Sequence, residues 1–451
     1  MIFVRQEPRM NTLSKVVVAM TVLLFSSQVE AGPKINQYLP KYLKVDYEFR
    51  HRMEYRDNFD FNSSRADEDT LHLGRHRLSL LYNPIKELGF FIQGQDSRIW
   101  DSKYVGKATF ENYMDIRQLY VNYEDSVTWE ALQINKISAR AGRQEFSYGA
   151  QRLIGAFNWS NVAQTFDGGK VAVHIVPLHV QLDIFAGDKT SIKTPREFDD
   201  LFDNSAKERI WAYYATAKPM GDLLVEQYLI RRKTDKAVSF GPSGSGEIDD
   251  FTAGGRIKNV FPNGFDYEVE AAKQWGDFRN MDVDGMMTVA LAGYTFGNTP
   301  WKPRVGFEFD YGSGDTDRSD GRMETFDNLY PTNHLFYGYI DFISLQNLND
   351  YRYQISAKPT KKLKIQADFH MLYLDTVKDS YYSVARGVVR TATRSVDDHL
   401  GNEIDLTADY KVNDYINVGL GYSHFFAGDY LRETGADDDA DFFYLQTTIA
   451  L

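Results

Sequence analysis

The sequence predicts an all-β fold, an 18-stranded antiparallel transmembrane β-barrel. Three observations carry this prediction. Segments alternating apolar and polar residues with period two recur along the whole chain, short and long connections between them alternate strictly, and no apolar run is long enough for a spanning helix. The composition agrees. The 451 residues include 29 Tyr, 30 Phe and 33 Gly but only 6 Trp, a mixture typical of extended strands. A hydrophobic content of 43% is too high for a disordered chain. Zero cysteine removes disulfide scaffolds, thiol catalysis and the usual structural zinc sites. A net charge of -12 argues against nucleic acid as a partner.

The first element is an address. Arg5, Arg9 and Lys15 precede the apolar run 16–25, and Val29-Glu30-Ala31 leads into Gly32. A positive start, a short apolar core and a small-residue end read as a secretory signal peptide over residues 1–31, with Met10 an alternative start. Residues 32–451 are then the mature barrel. No cysteine follows the cleavage site, so the signal is not that of a lipoprotein.

The strands follow in order. In 43–55, Leu43, Val45, Tyr47, Phe49 and Met53 alternate with Lys44, Asp46, Glu48, Arg50, Arg52 and Glu54. The same alternation returns in 265–275, 304–311, 363–373, 402–410 and 443–451. A soluble half-buried strand would look alike, so the connections decide. Short ones lie at 83–88, 124–130, 176–178, 219–222, 261–264, 297–302, 359–362 and 411–415. Between them sit longer polar ones at 56–69, 99–114, 144–164, 188–207, 233–249, 276–283, 313–349, 375–399 and 427–440. Eighteen strands result, with both termini on the short-turn side, at roughly 23 residues per strand and connection, as an outer-membrane barrel requires. Placing the charged row of 44–54 in lipid would cost about 2–4 kcal/mol per basic residue near the midplane, so that row faces inward. Lys273 breaks the rule on a lipid face, beside Trp275 at a strand end where it can snorkel.

Three groups of motifs carry a resemblance. The first is Gly142-Arg143-Gln144-Glu145, Tyr148-Gly149, Arg152-Leu153-Ile154-Gly155, Asn158-Trp159 and Phe166-Asp167-Gly168. The second is Ser313-Gly314-Asp315, the run 325–332 (TFDNLYPT), His334, Tyr337-Gly338 and Asp341. The third is the run 401–406 (GNEIDL), Gly421-Tyr422-Ser423 and the run 426–429 (FAGD). In this order, over nearly the whole mature chain, they resemble the alginate-export porin family of Gram-negative outer membranes. The resemblance implies a monomeric barrel whose charged lumen passes an acidic exopolysaccharide. Two positions depart from the family pattern: Leu451 replaces the usual terminal aromatic, and Ala427 stands where proline is common.

The inward charges are expected to form two walls. A basic one is contributed by Arg50, Arg52, Arg75, Arg77, Arg98, Arg140, Arg143 and Lys170, with Arg117 beside them. A largely acidic one is contributed by Glu268, Glu270, Glu308, Asp310, Glu403 and Asp405, relieved by Arg256 and Arg304, while Asp46 and Glu48 line the first strand. Charge ladders of this kind select ions, and guanidinium forks suit the carboxylates of successive sugars. The connection 143–168, with Tyr148, Arg152, Trp159 and Asp167, is expected to fold inward as a constriction, and 313–349 to cover the mouth.

The functional expectation is a passive outer-membrane channel exporting an anionic, alginate-like exopolysaccharide; the alternative is a porin taking up small acidic sugars or other solutes. Expected partners are membrane lipid and lipopolysaccharide, the polysaccharide cargo and a periplasmic secretion scaffold, with no nucleic acid. No enzyme is expected, because the nine histidines are scattered without a nucleophile motif. No cofactor is expected. Asp315, Asp317 and Asp320 resemble a calcium loop whose spacing is off by one, and Asp437–Asp439 reads as an outer loop bridging divalent cations and lipopolysaccharide.

Overall fold

A computed structural model describes residues 35–451 apart from 106, 108, 127–132, 177–178, 193–197, 199–200, 202–206 and 392–393; the signal-peptide expectation for 1–31 lies outside the described residues. Eighteen antiparallel strands form a closed barrel. They are β1 (Leu43–Asp57), β2 (Asp69–Ile85), β3 (Leu88–Trp100), β4 (Asn112–Asp125), β5 (Ile134–Gln144) and β6 (Phe166–Ile175). Next come β7 (Val180–Lys189), β8 (Glu208–Met220), β9 (Leu223–Ser239), β10 (Ser245–Val260), β11 (Phe265–Phe278) and β12 (Met286–Thr295). The wall is completed by β13 (Arg304–Gly312), β14 (Leu348–Ala357), β15 (Leu363–Tyr373), β16 (His399–Lys411), β17 (Ile416–Ala427) and β18 (Ala440–Ala450).

Each strand pairs with its sequence neighbours, and β1 closes on β18 from Glu48↔Ala450 to Asp57↔Asp441. Closure satisfies every strand edge, which a chain in hydrocarbon must do. Among the described residues short and long connections alternate except between β9 and β10, with both termini on the short-turn rim. One connection is shorter than expected. β9 and β10 run on past Arg232, so the stretch 233–249 is mostly strand, and only 240–244 turns. Among the described residues no helix is long and apolar enough to cross a membrane; α1 (Asp429–Thr434) is a single loop helix.

The two faces separate cleanly. Leu78, Leu80, Ile92, Val121, Ile184, Val269, Phe307 and Tyr353 are exposed on the outside, where lipid replaces water. The hydrophobic core lies inside the extracellular half of the barrel. Inward side chains such as Phe166, Ile210, Ile230 and Leu348 pack there against Phe146, Leu153, Ile154, Phe326, Leu329 and Tyr330 from two connections that fold into the lumen, 145–165 and 313–347.

Candidate functional site

The lumen is the site, and its walls follow from strand parity. Even positions of β1 and odd positions of β2 point inward, which sets Arg50 directly opposite Arg75 and Glu48 opposite Arg77. Adjacent guanidinium groups repel, so each needs acceptors. The 145–165 loop supplies them from its main chain. The Asn158 carbonyl accepts from Arg50 Nη1 at 2.8 Å and from Arg75 Nη1 at 3.0 Å, while the Ser160 carbonyl accepts from both residues at 3.2 Å. Arg52 donates to the Trp159 carbonyl at 2.8 Å and lies over the indole at 3.7 Å; Arg77 donates to the Asn158 side chain at 2.9 Å. All four arginines are buried. The basic wall is real, and in this state its forks hold loop oxygens.

The same loop is anchored on the far side. Arg152 donates to Glu268 at 2.5 Å, Glu308 at 2.6 Å and Glu270 at 3.2 Å, and is itself only 2% exposed. Burial alone would lower its pKa, but Glu308, Asp310, Glu268 and Glu270 outweigh burial and hold the guanidinium firmly protonated. Arg256 bonds Glu226 and Glu268, Arg304 grips Asp266 at 2.6 and 2.9 Å, and Arg352 bridges Asp368 and Glu308. Further round, Asp310 faces Asp350 across β13 and β14, and His370 lies between Asp350 at 2.8 Å and Asp405 at 3.6 Å.

The 313–347 loop closes the arrangement. The Ile340 amide donates to Glu403 at 3.0 Å, with Gly338 pressed against that carboxylate at φ +91°, where a Cβ would come within 2.5 Å of it. Asp327 takes Arg232 and Arg386; burial would raise its pKa, and the two arginines bring it below the ordinary aspartate range. The two inner loops are joined to each other. Ile154 and Tyr330 form a parallel bridge, Gly155 donates to the Tyr330 carbonyl at 2.8 Å, and Tyr330 donates to that of Leu153 at 2.8 Å. Gly155 permits this approach, since a Cβ there would lie 2.3 Å from Thr332 Oγ1.

The expected site residues divide. Arg50, Arg52, Arg75, Arg77, Arg140, Lys170, Arg256 and Arg304 face inward, as do Asp46, Glu48, Glu268, Glu270, Glu308, Asp310, Glu403 and Asp405. Arg117 also turns inward, onto Glu145 and Gln93. Arg140 stacks over Tyr120 at 4.1 Å, and Lys170 stands 4.0 Å from Asp183. Arg98 does not line the pore. It shares the outer face of Phe90, Ile92 and Trp100, pairs with Asp96 and covers Tyr113 at 3.4 Å. Arg143 is buried, clamped to Asp167 at 2.8 and 2.9 Å, and lines a small cavity with Gln95, Arg117 and Val162; Gly142, at φ +131°, interrupts the alternation between it and Arg140. Asp167 belongs to β6 rather than to the constriction loop. Tyr148 and Trp159 are where expected, against Phe185 at 4.5 Å and His334 at 3.7 Å. Asp315 turns its carboxylate to Ser243 and to the Asp317 amide. Asp350 and Arg352 escaped the sequence reading, although their inward parity was readable from β14, whereas His370 sits on the polar row of 363–373 as expected.

Comparison with known proteins agrees with this architecture. The family model described as alginate export matches residues 41–444. Among solved structures, the chain is similar to the outer membrane protein OpdK of Pseudomonas aeruginosa, with a TM-score of 0.62 and 12% identity over 91% of this chain and 98% of that one. It is also similar to OccK8 (OprE) of the same organism, at TM-score 0.60, 13% identity and coverage of 91% and 98%. For OccAB1 of Acinetobacter baumannii the figures are 0.58, 12%, 94% and 100%. At these identities the likeness is one of fold. Curated proteins give no match. The family match over nearly the whole chain, on a closed barrel with a charged lumen, places the chain in the alginate export family: it is an outer-membrane channel of Gram-negative bacteria.

Proposed function

We propose that this channel passes an anionic, alginate-like polyuronate passively, and that the state described here is its closed one. The observation that carries the reading is the clamp on the basic wall. Arg50, Arg52, Arg75 and Arg77 hold the carbonyl and amide oxygens of 158–160, positions that carboxylates on successive sugars would take over. A carboxylate makes stronger, charge-assisted bonds to a guanidinium than a main-chain carbonyl does, so cargo competes with the loop rather than squeezing past it. The barrel acts alone as a monomer and does no chemistry on its cargo. Its short-turn rim faces a periplasmic scaffold that sets the direction of travel.

Planar-bilayer recording tests this. With all four arginines replaced by glutamine, anion preference and block by polymannuronate should both fall, and neutral oligosaccharides should block wild type weakly. Equal block by a neutral oligosaccharide would favour a general uptake porin instead.

A further inference from the structure

The loop 145–165 carries only two charged side chains, Glu145 and Arg152, and each docks on the wall of opposite sign. Arg152 anchors the loop to the acidic wall. Glu145 differs in kind from everything else the loop offers to the basic wall. The groups at 158–160 are neutral oxygens, whereas Glu145 sets a carboxylate on Arg117. A carboxylate on a guanidinium is the bond that a uronic acid would make.

A break in the ladder builds this position. Between β3 and β4 the register steps from Gln93↔Gln118 to Gly94↔Ile116, so Arg117 is an extra residue and turns into the lumen beside Gln118. The Gln93 side chain accepts from Arg117 Nη1 at 3.1 Å. Arg77, two strands away on β2, donates to the Asn158 side-chain oxygen at 2.9 Å, and the Asn158 side-chain amide donates to Glu145 at 3.3 Å. Glu145 thus stands between two guanidinium groups, bound to one directly and to the other through Asn158. Neither group is used up. Arg77 Nη2 and Arg117 Nε are buried without a hydrogen-bond partner among the described residues. The Arg117 side chain is 4% exposed and that of Glu145 is 26% exposed. The fixed half of the site therefore lies in the wall, and its occupant lies at the lumen surface on a rotatable stem. Glu48, which bonds Arg75 at 2.8 Å, belongs to β1 and so to the wall itself.

We infer that Arg77 and Arg117 form a subsite for one uronate unit, and that Glu145 fills it in the closed state as a built-in substitute for the cargo. The inference rests on the polyuronate reading above and adds which pair of guanidinium groups the cargo reaches first. Taking over the arginines held by carbonyls needs the backbone of 158–160 to move, whereas Glu145 yields by rotating its own side chain. A carboxylate of the polymer then replaces a carboxylate of the loop, and Arg117 is never left buried and unpaired. The exchange also begins the opening. With Glu145 gone, Asn158 loses one of its two side-chain anchors, and its carbonyl is the one shared by Arg50 and Arg75. The cost is affinity, because cargo binds only in the share of time that Glu145 leaves the subsite open.

Isothermal titration of the full barrel with trimannuronate, and with the same trimer reduced to a neutral alcohol at each carboxyl, tests this. Glu145→Gln keeps the shape of the side chain and removes its charge, so it should tighten trimannuronate about tenfold by vacating the subsite. Arg117→Gln should weaken it about tenfold, by removing one guanidinium from the site. With Arg117→Gln already present, Glu145→Gln should bring no gain, because no subsite remains to be vacated. The neutral trimer should respond to none of these changes. Heat-modifiable gel mobility certifies that each variant is folded. An affinity that Glu145→Gln leaves unchanged or weakens overturns the inference. So does an equal gain with and without Arg117, which would be a general effect of charge. Binding is read here without passage, so a barrel that shows the expected pattern yet is blocked equally by neutral oligosaccharides loses the transport reading and keeps the subsite.

Discussion

At the scale of the residue, Arg152 bears the largest burden, for a single guanidinium bonds three glutamates buried with it. Removing one partner of a buried ionic network costs ~3–5 kcal/mol, and here the loss falls on the loop rather than on the barrel ladder. Arg152→Met should raise single-channel conductance and gating noise while leaving heat-modifiable mobility unchanged. Adding Glu268→Gln and Glu308→Gln should restore much of the quiet state, and an unaltered conductance trace in Arg152→Met would count against the clamp. Asp327 sets the pH behaviour of the second loop. Its folded pKa is depressed by Arg232 and Arg386, so its contribution is complete above the ordinary aspartate value of about 3.9 and is lost only as pH falls below it. Asp327 should thus add no pH dependence to conductance between pH 8 and 5, whereas Asp327→Asn should loosen the loop at neutral pH. The residues also show where reading a sequence reaches its end. Alternation placed Arg50, Arg75 and Glu268 correctly because their neighbours kept strict parity. Arg98 was misassigned since a charge at a strand end can stay on the outer face beside its own counter-ion, as it does with Asp96. Arg143 cannot be placed by counting from Arg140, because Gly142, at φ +131°, breaks the alternation just before it.

At the scale of the element, the two inner loops behave as one body, because the Ile154–Tyr330 bridge and the flanking hydrogen bonds join them. The chain has no cysteine, so an engineered pair reads without background. Ile154→Cys with Tyr330→Cys should lock the loops when oxidised and reduce polyuronate passage, with recovery on reduction; oxidation without effect would show that passage does not need them to part. Deleting Tyr148–Trp159 should raise conductance outright. That such a loop enters the barrel was only partly legible. Length and motif density marked 144–164 as unusual, but its placement depends on main-chain carbonyls at 158–160 meeting arginines from another strand pair, and a carbonyl has no sequence signature. The same holds for Ile340 and Glu403.

At the scale of the whole molecule, strand count, closure and orientation were readable from period two and from the alternating connections, since lipid on one face and water on the other impose a pattern that no local preference can hide. The interior was less so. A sequence that lists charges by wall suggests an open, water-filled passage, whereas folding brings the basic and acidic walls into contact through a loop between them and packs aromatic side chains above. That packing has a consequence for the cell. The outer membrane excludes detergents and large antibiotics, and a hole wide enough for a polymer would breach it at every copy. On the closed reading proposed above, the joined loops keep each idle channel shut. A strain expressing the Tyr148–Trp159 deletion should become sensitive to bulky hydrophilic antibiotics that the parent strain tolerates, and unchanged inhibitory concentrations would mean that something other than these loops keeps the envelope tight.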